Sequence, residues 1–543
     1  MIANRKWRIS TGLALTLVSA VLSALPQSPP TKTAAAPKLR ADVARFRKRV
    51  EAALADPHAQ TAFWGALVED VQTGEILYDL NAGHSFVPAS NAKIFTGALV
   101  LTTLGPDFRY HTTIETRGTL DSGGRLHGDL VFVGRGDPDL SNRKFPFASK
   151  VEREGPADTV LEEMAQAVAA KGVREIDGDV VGDDSYFPYD PYPAGWSVGD
   201  LFFSFGAPVS AIALNDNTVA IDVRPGTQPG ADALIDIEPW DGHGSIGYRI
   251  ITGPADSKVQ FEVVRQPGPE VALLRGSVPI GHEPVKLDLA LDEPSAYAAR
   301  VLKRLLETRG VQIAGQARAH HAILSSAVPL LVTPLSSEPV SGSAPSTVLA
   351  EHVSPPLLEI IRVVDKVSQN LHAELLLRTV AREKTGIGSL EAGVKVEQEF
   401  LKSIGLAEGE VVLNDGSGLS SSDLVTPRAT VALLRWIAQQ PWGEAYSSTL
   451  PLAGEDGTLE SRMKNTAAAG RIQAKTGALQ HVRAMSGFAT TLKGERLAFA
   501  IFVNNSTQNG ANSTAALDAI GVAMVEELGT PPRPRAPQAK RKK

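Results

Sequence analysis

Residues 86–101 read FVPASNAKIFTGALVL, and this stretch decides how the rest of the chain is interpreted. Pro88 suits the first turn of a helix, and the apolar residues after Lys93 recur at helical spacing. Ser90 and Lys93 stand at i and i+3, which on a helix separates their Cβ atoms by about 5–6 Å and allows proton transfer between them. The stretch therefore predicts either a serine nucleophile with a lysine base or an ordinary helix start with a solvated lysine.

The Ser-x-x-Lys pattern is weak by itself, because the chain contains it three times. The other two pairs are Ser141/Lys144 and Ser461/Lys464. Ser141 follows a Gly-Asp-Pro turn and precedes Pro146, so no helix is expected there. Ser461 is compatible with a helix and is excluded only by the order of the motifs described next.

Two further motifs accompany the first. Lys-Thr-Gly occurs at 384–386 and at 475–477, and Ser-x-Asn occurs once, at 368–370. The first Lys-Thr-Gly ends a predicted helix, where Gly386 suits a C-cap. The second lies in an alternating, strand-like segment, where a glycine lets another backbone come close. Ser-x-Asn falls at a break between two predicted helices, where an Asn cap is the ordinary alternative.

The order of these motifs along the chain is more specific than any one of them. Ser-x-x-Lys, Ser-x-Asn and Lys-Thr-Gly follow one another on a helix, an interhelical break and a strand, a set typical of serine β-lactamases and penicillin-binding proteins. The first gap is 368 − 90 = 278 residues, too long for a compact β-lactamase, and it contains a β-rich region. The chain resembles the class C low-molecular-mass penicillin-binding proteins, the exported D-alanyl-D-alanine carboxypeptidase/endopeptidase family, over about residues 40–528. The segments that carry this resemblance besides the motifs are GRGDPDL (134–140), GDDSYF (182–187), APVSAIALNDN (207–217), NDGSGLSSSDLVTP (414–427) and LPLAGEDGTLESRM (450–463).

The resemblance implies an α/β fold: a serine β-lactamase/transpeptidase-like domain, with an antiparallel sheet flanked by helices, split by a long β-rich insertion. Short alternating runs punctuated by Gly, Asp and Pro favour strands in the insertion, with room for two subdomains. Helices are predicted at 37–56, after Pro88, at about 157–171, on both sides of 368–370 and at 512–528. The predicted layout is a signal peptide at 1–25, the first part of the transpeptidase-like domain at 37–105, the insertion at 106–345, the second part of the domain at 346–528 and a disordered basic tail at 529–543.

The resemblance also implies catalytic roles for five residues. Ser90 is expected to attack the peptide carbonyl, with Lys93 as its base. An unperturbed lysine has a pKa of about 10.4, so Lys93 needs a lowered pKa, which burial and a second cation at Lys475 would give. Ser368 is expected to relay the proton to the leaving amine, and Asn370 to hold Lys93 and the substrate amide.

The strand around the second Lys-Thr-Gly is expected to bind substrate. Lys475 and Thr476 would meet the substrate's terminal carboxylate, and the strand edge at Gly477 would pair with its backbone. The backbone N–H groups of Ser90 and Ala478 would form the oxyanion hole. Many relatives carry Thr or Ser where this chain has Ala478, so no side-chain contact to the carboxylate is expected from that position.

Composition limits the remaining possibilities. The chain has 543 residues, of which 43% are apolar and 21% charged, and its net charge is -6, so no nucleic-acid partner is expected. It has no cysteine, which excludes disulfides and thiolate metal sites. Neither His372-x-Glu374 nor the pair His320-His321, expected on an exposed strand, is interpreted as a metal site. No metal and no cofactor are expected.

The N-terminus predicts export. Basic residues precede an apolar run, Thr11–Leu25, which is too short for a comfortable membrane span, although an uncleaved anchor is the alternative. The mature chain is therefore expected to be periplasmic or secreted, with at most peripheral membrane contact. Peptidoglycan stem peptides are the expected substrates and β-lactam antibiotics the expected covalent inhibitors. A β-lactamase or esterase using the same serine, and a non-catalytic wall-binding scaffold, are the alternative functions.

Overall fold

The computed structural model describes residues 40–57, 59–148, 153, 155–238, 245–265, 271–324, 334–336, 345–507 and 510–529. The predicted signal peptide and the basic tail beyond residue 529 lie outside these residues. The α-helices within them are α1 (Ala41–Leu54), α2 (Ala92–Leu104), α3 (Thr159–Ala170), α4 (Pro294–Glu307), α5 (Leu357–Lys366), α6 (Asn370–Thr385), α7 (Leu390–Ser403), α8 (Pro427–Ile437), α9 (Gly443–Ser447) and α10 (Gly510–Glu527).

The strands are β1 (Phe63–Asp70), β2 (Ile76–Leu80), β3 (His111–Thr116), β4 (Thr119–Leu120), β5 (Arg125–His127), β6 (Leu130–Val133), β7 (Glu175–Ile176), β8 (Val180–Pro188), β9 (Thr218–Arg224), β10 (Leu234–Glu238), β11 (Ser245–Gly253), β12 (Gln260–Arg265), β13 (Val271–Pro279), β14 (Val285–Ala290), β15 (Gln312–Ile313), β16 (Ala317–Leu324), β17 (Pro334–Ser336), β18 (Thr347–Val353), β19 (Val411–Val412), β20 (Leu424–Val425), β21 (Ile472–Leu479), β22 (Val482–Thr490) and β23 (Arg496–Asn504).

A five-stranded antiparallel sheet with the order β2-β1-β23-β22-β21 forms the centre of the transpeptidase-like domain. Its third strand, β23, is buried along almost its whole length. Successive side chains of a strand point to opposite faces. Phe499 and Ile501 pack in a core with α1 and α10, whereas Phe502 packs in a second core with α2, α6 and α8. This burial on both faces explains the almost continuous apolar run of β23.

The β-rich insertion lies between α2 and α5 and has a core of its own. Its sheets are a six-stranded sheet in the order β17-β16-β8-β6-β3-β18, a four-stranded sheet β15-β7-β5-β4, and two three-stranded sheets, β10-β9-β14 and β11-β13-β12. The first residue of β3, His111, pairs with the last residue of β18, Val353. The chain therefore leaves and re-enters the domain at neighbouring positions. The predicted fold class is confirmed, whereas the domain boundaries stay predictions.

Most of the predicted elements are present. The helices predicted at 37–56, 157–171 and 512–528 are α1, α3 and α10, and the break at 368–370 lies between α5 and α6. The sequence interpretation missed α4, α7, α8 and the short α9. Helix α4 begins with a proline in its first turn, a usable signal that the strand-like texture around it obscured.

The expectation that His320 and His321 lie on an exposed strand is wrong. His320 is buried, and the His321 Nδ1 atom lies 2.7 Å from the Asp184 Oδ1 atom, so this pair is not an exposed strand pair. Both histidines belong to strand β16, which packs against α4.

No helix among the described residues is both long enough and apolar enough to cross a membrane.

Candidate active site

Ser90 lies on a short 3-10 turn, Ala89–Asn91, that leads directly into α2. Ala89 has a φ of 48°, a left-handed conformation that is strained for a residue with a Cβ atom. Two glycines let other segments pack against the turn. A Cβ atom at Gly418 would lie 2.0 Å from the Ala89 carbonyl oxygen, and one at Gly477 would lie 2.7 Å from the Pro88 carbonyl oxygen. The turn is thus held between the loop 414–423 and strand β21.

Lys93 lies in the first turn of α2 and is buried. Its Nζ atom is 2.9 Å from Ser90 Oγ, and 2.6 Å from both the Asn370 Oδ1 atom and the Ser417 carbonyl oxygen. A neutral amine has two N–H donors and one lone pair. Because Asn370 and Ser417 offer only acceptors at these atoms, they use both donors and leave the lone pair directed at the Ser90 hydroxyl.

Electrostatics favours this neutral form. Burial lowers the pKa of Lys93 well below that of an ordinary lysine, and the positive charge of Lys475 lowers the pKa further. The carboxyl groups of Asp415, Glu374 and Asp365 act in the opposite direction. A free amine at Lys93 can accept a proton, as a base for Ser90 must.

Ser368 and Lys475 form a second polar pair beside the first. Ser368 has a φ of 61° and lies in the short connection between α5 and α6. The buried Lys475 donates from Nζ to Ser368 Oγ at 2.9 Å and to the Thr476 carbonyl oxygen at 2.9 Å. Burial lowers the pKa of Lys475 to about 8, and the charge of Asp365 acts in the opposite direction.

The edge strand β21 lines the other side of the site. Ala478 is exposed on this strand, and the Thr476 hydroxyl donates to the Thr458 hydroxyl oxygen at 2.7 Å. The Ser90 turn packs so closely against Gly477 that there is no room for a Cβ atom. This packing requires glycine at position 477 in addition to the expected access for a substrate backbone. Thr458 lies in the segment 450–463 that carries the family resemblance, but its contact with Thr476 was not predicted.

A cavity of about 370 Å³ opens between these elements. The predicted site residues that line it are Ser90, Ser368, Asn370 and Ala478. Asp200 and Phe205 also line it, and both come from the insertion. Sequence reasoning missed these two residues, because they lie on short turns without a recognisable motif. The insertion contacts the site directly, because Asn370 Nδ2 donates a hydrogen bond to the Phe205 carbonyl oxygen at 2.8 Å.

The loop 414–423 fixes the position of the Ser417 carbonyl that Lys93 contacts. The buried Asp415 carboxylate accepts from the backbone N–H of Gly418 at 2.6 Å and from that of Ser420 at 2.8 Å. It also accepts from the Trp196 Nε1–H group of the insertion at 2.8 Å. Only the general likeness of this segment to the family was visible in the sequence, not its contact with Lys93.

The duplicate motifs lie elsewhere and have ordinary structural explanations. Gly386 has a φ of 79° and caps α6, as its sequence predicts. Ser141 is buried outside any helix and donates to Asp216 Oδ1 at 2.8 Å. Ser461 and Lys464 are exposed and are not on a helix. Within the described part of the chain, no cluster of three or more His, Cys, Asp or Glu side chains could hold a metal ion.

The site and the fold together define a class of protein. A serine that contacts a buried lysine, not a histidine, on a helix beside a five-stranded antiparallel sheet is typical of the serine β-lactamases and penicillin-binding proteins. Comparison with known proteins narrows this class. The profile of the family described as "D-Ala-D-Ala carboxypeptidase 3 (S13) family" matches residues 46–344 and 336–524, and the chain belongs to that family. The family predicted from the sequence is confirmed.

Similar proteins cover nearly the whole chain. A D-alanyl-D-alanine carboxypeptidase of Actinomadura sp. (strain R39) is 34% identical over 526 residues, which are 94% of this chain and 91% of that protein. D-alanyl-D-alanine carboxypeptidase DacB of Haemophilus influenzae is 27% identical over 81% of this chain and 85% of that protein. The crystal structure of penicillin binding protein 4 (dacB) from Haemophilus influenzae matches with a TM-score of 0.72 and 25% identity, covering 89% of this chain and 98% of that structure.

Proposed function

We propose that the chain is a serine D,D-peptidase that cleaves peptidoglycan stem peptides through an acyl-enzyme on Ser90. The bond cleaved is the one between the two terminal D-alanines (carboxypeptidase activity), the D-Ala-diamino acid cross-link (endopeptidase activity), or both. One observation carries this proposal: the buried amine of Lys93 lies 2.9 Å from the Ser90 hydroxyl, and its two donors are used by other groups.

Acylation begins when Ser90 Oγ attacks the carbonyl carbon of the penultimate D-alanine. The Oγ–C bond forms as the hydroxyl proton moves to Lys93 Nζ. The negative charge that develops on the carbonyl oxygen meets the backbone N–H groups of Ser90 and Ala478. The C–N bond then breaks, and the proton passes from Lys93 through the Ser368 hydroxyl to the leaving amine.

Deacylation repeats these steps with water as the nucleophile. Water attacks the acyl carbon and gives its proton to the Lys93 amine, the Oγ–C bond breaks, and Ser90 takes a proton back. The product is the shortened stem peptide with a new carboxylate. A β-lactam follows the first half of this course, because the attack of Ser90 opens its ring and leaves the same ester.

The strand β21 beside the cavity would bind the end of the substrate. The Lys475 ammonium and the Thr476 hydroxyl suit the terminal carboxylate of a peptide, or the carboxylate of a penicillin. Gly477 lies on the edge strand β21, where a substrate backbone would add to the sheet. The relatives from Actinomadura and Haemophilus influenzae, both named D-alanyl-D-alanine carboxypeptidases, support this substrate class.

We propose that the mature protein is periplasmic or secreted. The basic and apolar N-terminus supports this location, because it has the pattern of an export signal. The substrate also requires it, since peptidoglycan cross-links lie outside the cytoplasmic membrane.

A fluorescent penicillin tests the proposal. The purified protein is expected to become covalently labelled, and Ser90→Ala is expected to abolish the label without lowering the melting temperature. Ser461→Ala is the matched control, because Ser461 belongs to an exposed copy of the same sequence pattern and its loss should leave labelling unchanged. Labelling that persists in Ser90→Ala would show that another residue is the nucleophile.

Incubation with a pentapeptide and, separately, with cross-linked muropeptides then measures carboxypeptidase and endopeptidase activity. Rapid turnover of penicillin with neither peptide cleaved would support the alternative, a β-lactamase.

A further inference from the structure

The two buried lysines of the site have opposite requirements. Lys93 must be a free amine to accept a proton, whereas Lys475 must be a cation to attract a carboxylate. Both are lysines, both are at most 1% exposed, and burial favours the neutral form of each. Some feature of the protein must therefore hold a proton on one lysine and not on the other.

Asp365 is the group placed to do this. It lies in the last turn of α5, three positions before Ser368, and its side chain is 1% exposed. Its Oδ2 atom accepts from the Thr449 hydroxyl at 2.7 Å, whereas its Oδ1 atom is buried and has no hydrogen-bond partner among the described residues. A buried carboxylate with a free acceptor is costly unless a positive charge offsets it.

The charges around Asp365 supply that offset. The titratable groups that act on it or are affected by it come from four elements: Lys475 of β21, Lys93 of α2, Lys366 of α5 and Tyr446 of α9. Lys366 already has its own partner, since Nζ lies 2.6 Å from Asp456 Oδ2. Lys475 has no hydrogen-bonded carboxylate among the described residues, because its two hydrogen bonds go to the uncharged Ser368 hydroxyl and Thr476 carbonyl.

We propose that Asp365 is a positioning residue that holds a proton on Lys475, so that Lys475 meets the substrate carboxylate as a cation while its charge keeps Lys93 neutral. This inference rests on the proposed function. Asp365 acts on both lysines, but its charge is the one that opposes the effect of burial on the pKa of Lys475. A proton held on Lys475 then repels a second proton from Lys93. Asp365 does not line the cavity, whereas Ser368, whose hydroxyl Lys475 contacts, does line it.

The consequence appears at alkaline pH. The pKa of Lys475 is about 8, so about half of it is protonated at pH 8. Removing an opposite charge from its neighbourhood lowers a pKa by about one unit or more, which leaves roughly one-tenth of Lys475 protonated at pH 8. The rate of acylation by a carboxylate-bearing inhibitor should then fall about fivefold at pH 8. It should change little at pH 6, because Lys475 remains protonated there in either case and Asp365, whose own pKa burial raises to about 6, carries only part of its charge.

The experiment measures the second-order rate constant of acylation by benzylpenicillin at pH 6 and pH 8. Asp365→Asn should lower the ratio of the pH 8 rate to the pH 6 rate about fivefold. Asp365→Glu keeps the charge and should retain the ratio of the unchanged protein. Asp456→Asn is the matched control, because it removes a carboxylate that pairs with Lys366 and not with Lys475. If Asp365→Asn does not fold, Asp365→Ser replaces it, since a hydroxyl can accept from Thr449 without carrying charge.

An unchanged ratio in the folded neutral variant would overturn the inference, as would an equal loss of rate at both pH values. An equally large change of the rate ratio in Asp456→Asn would also overturn the inference. The loss of any nearby carboxylate would then have the same effect, and Asp365 would have no special role. Failure of the unchanged protein to react with benzylpenicillin at either pH would instead refute the proposed function, and this inference with it.

Discussion

Replacing Gly477 with alanine tests whether the packing of β21 against the Ser90 turn sets the geometry of the site. The added Cβ atom would lie 2.7 Å from the Pro88 carbonyl oxygen, 2.9 Å from Asn91 Nδ2 and 3.0 Å from the Ala89 Cβ atom. Ordinary contacts between such atoms begin at about 3.5 Å, so the strand and the turn must separate by more than about half an ångström. Two of the three neighbours are backbone or a Cβ atom, which cannot rotate away.

The expected cost has two parts. Overpacking of this kind destabilises a protein by about 1–3 kcal/mol. The displacement also separates the two N–H groups of the proposed oxyanion hole, one on each side of the gap, and loss of one such donor typically slows acyl transfer by about 10²–10³-fold. Acylation by a fluorescent penicillin should therefore fall by at least tenfold, while thermal unfolding remains cooperative and shifts to a lower temperature.

The first Lys-Thr-Gly motif provides the matched control. Gly386 has a φ of 79° at the C-cap of α6, and a Cβ atom there would meet nothing within 4 Å. Gly386→Ala should cost about 1–2 kcal/mol of stability from the left-handed conformation alone and leave the acylation rate unchanged. An acylation rate in Gly477→Ala equal to that of Gly386→Ala would refute the reasoning, because the clash would then have no effect on the site.

Three further predictions concern charged groups. Lys475→Ala should slow penicillin labelling strongly, because Lys475 is buried beside Ser368. Lys384→Ala should hardly change the labelling rate, because Lys384 is exposed. Time courses of labelling, measured on gels, compare the two variants. The acylation rate should fall as the solution is acidified through the lowered pKa of Lys93, because protonation removes the base; stopped-flow rates against pH measure this. Burial raises the pKa of Glu397 to about 8. The folded state therefore keeps a proton that the unfolded state releases, and this carboxyl destabilises the folded state progressively as the pH rises from about 4.5 to about 8. Glu397→Gln should accordingly raise the melting temperature more at pH 8 than at pH 5, and an equal shift at both would contradict the assignment.

The sequence alone was sufficient for features that depend on neighbouring residues. The spacing of Ser90 and Lys93 predicts a shared helix face, and Gly386 follows a helix as a cap, because both properties depend on a few adjacent positions. The break at 368–370 and the strands at the second Lys-Thr-Gly could be predicted for the same reason. The order of the motifs then identified the family.

Only the tertiary structure decided how far the two lysines are buried, which carboxylates lie behind them, and that Asp200 and Phe205 of the insertion line the cavity. The pKa of Lys93 depends on Lys475, which is 475 − 93 = 382 positions away, and on Asp415 and Asp365. Periodicity and motif spacing describe the chain locally, whereas the cost of burying a charge depends on everything that surrounds it after folding. The sequence therefore determined which groups are present, and packing determined which of them carry a proton.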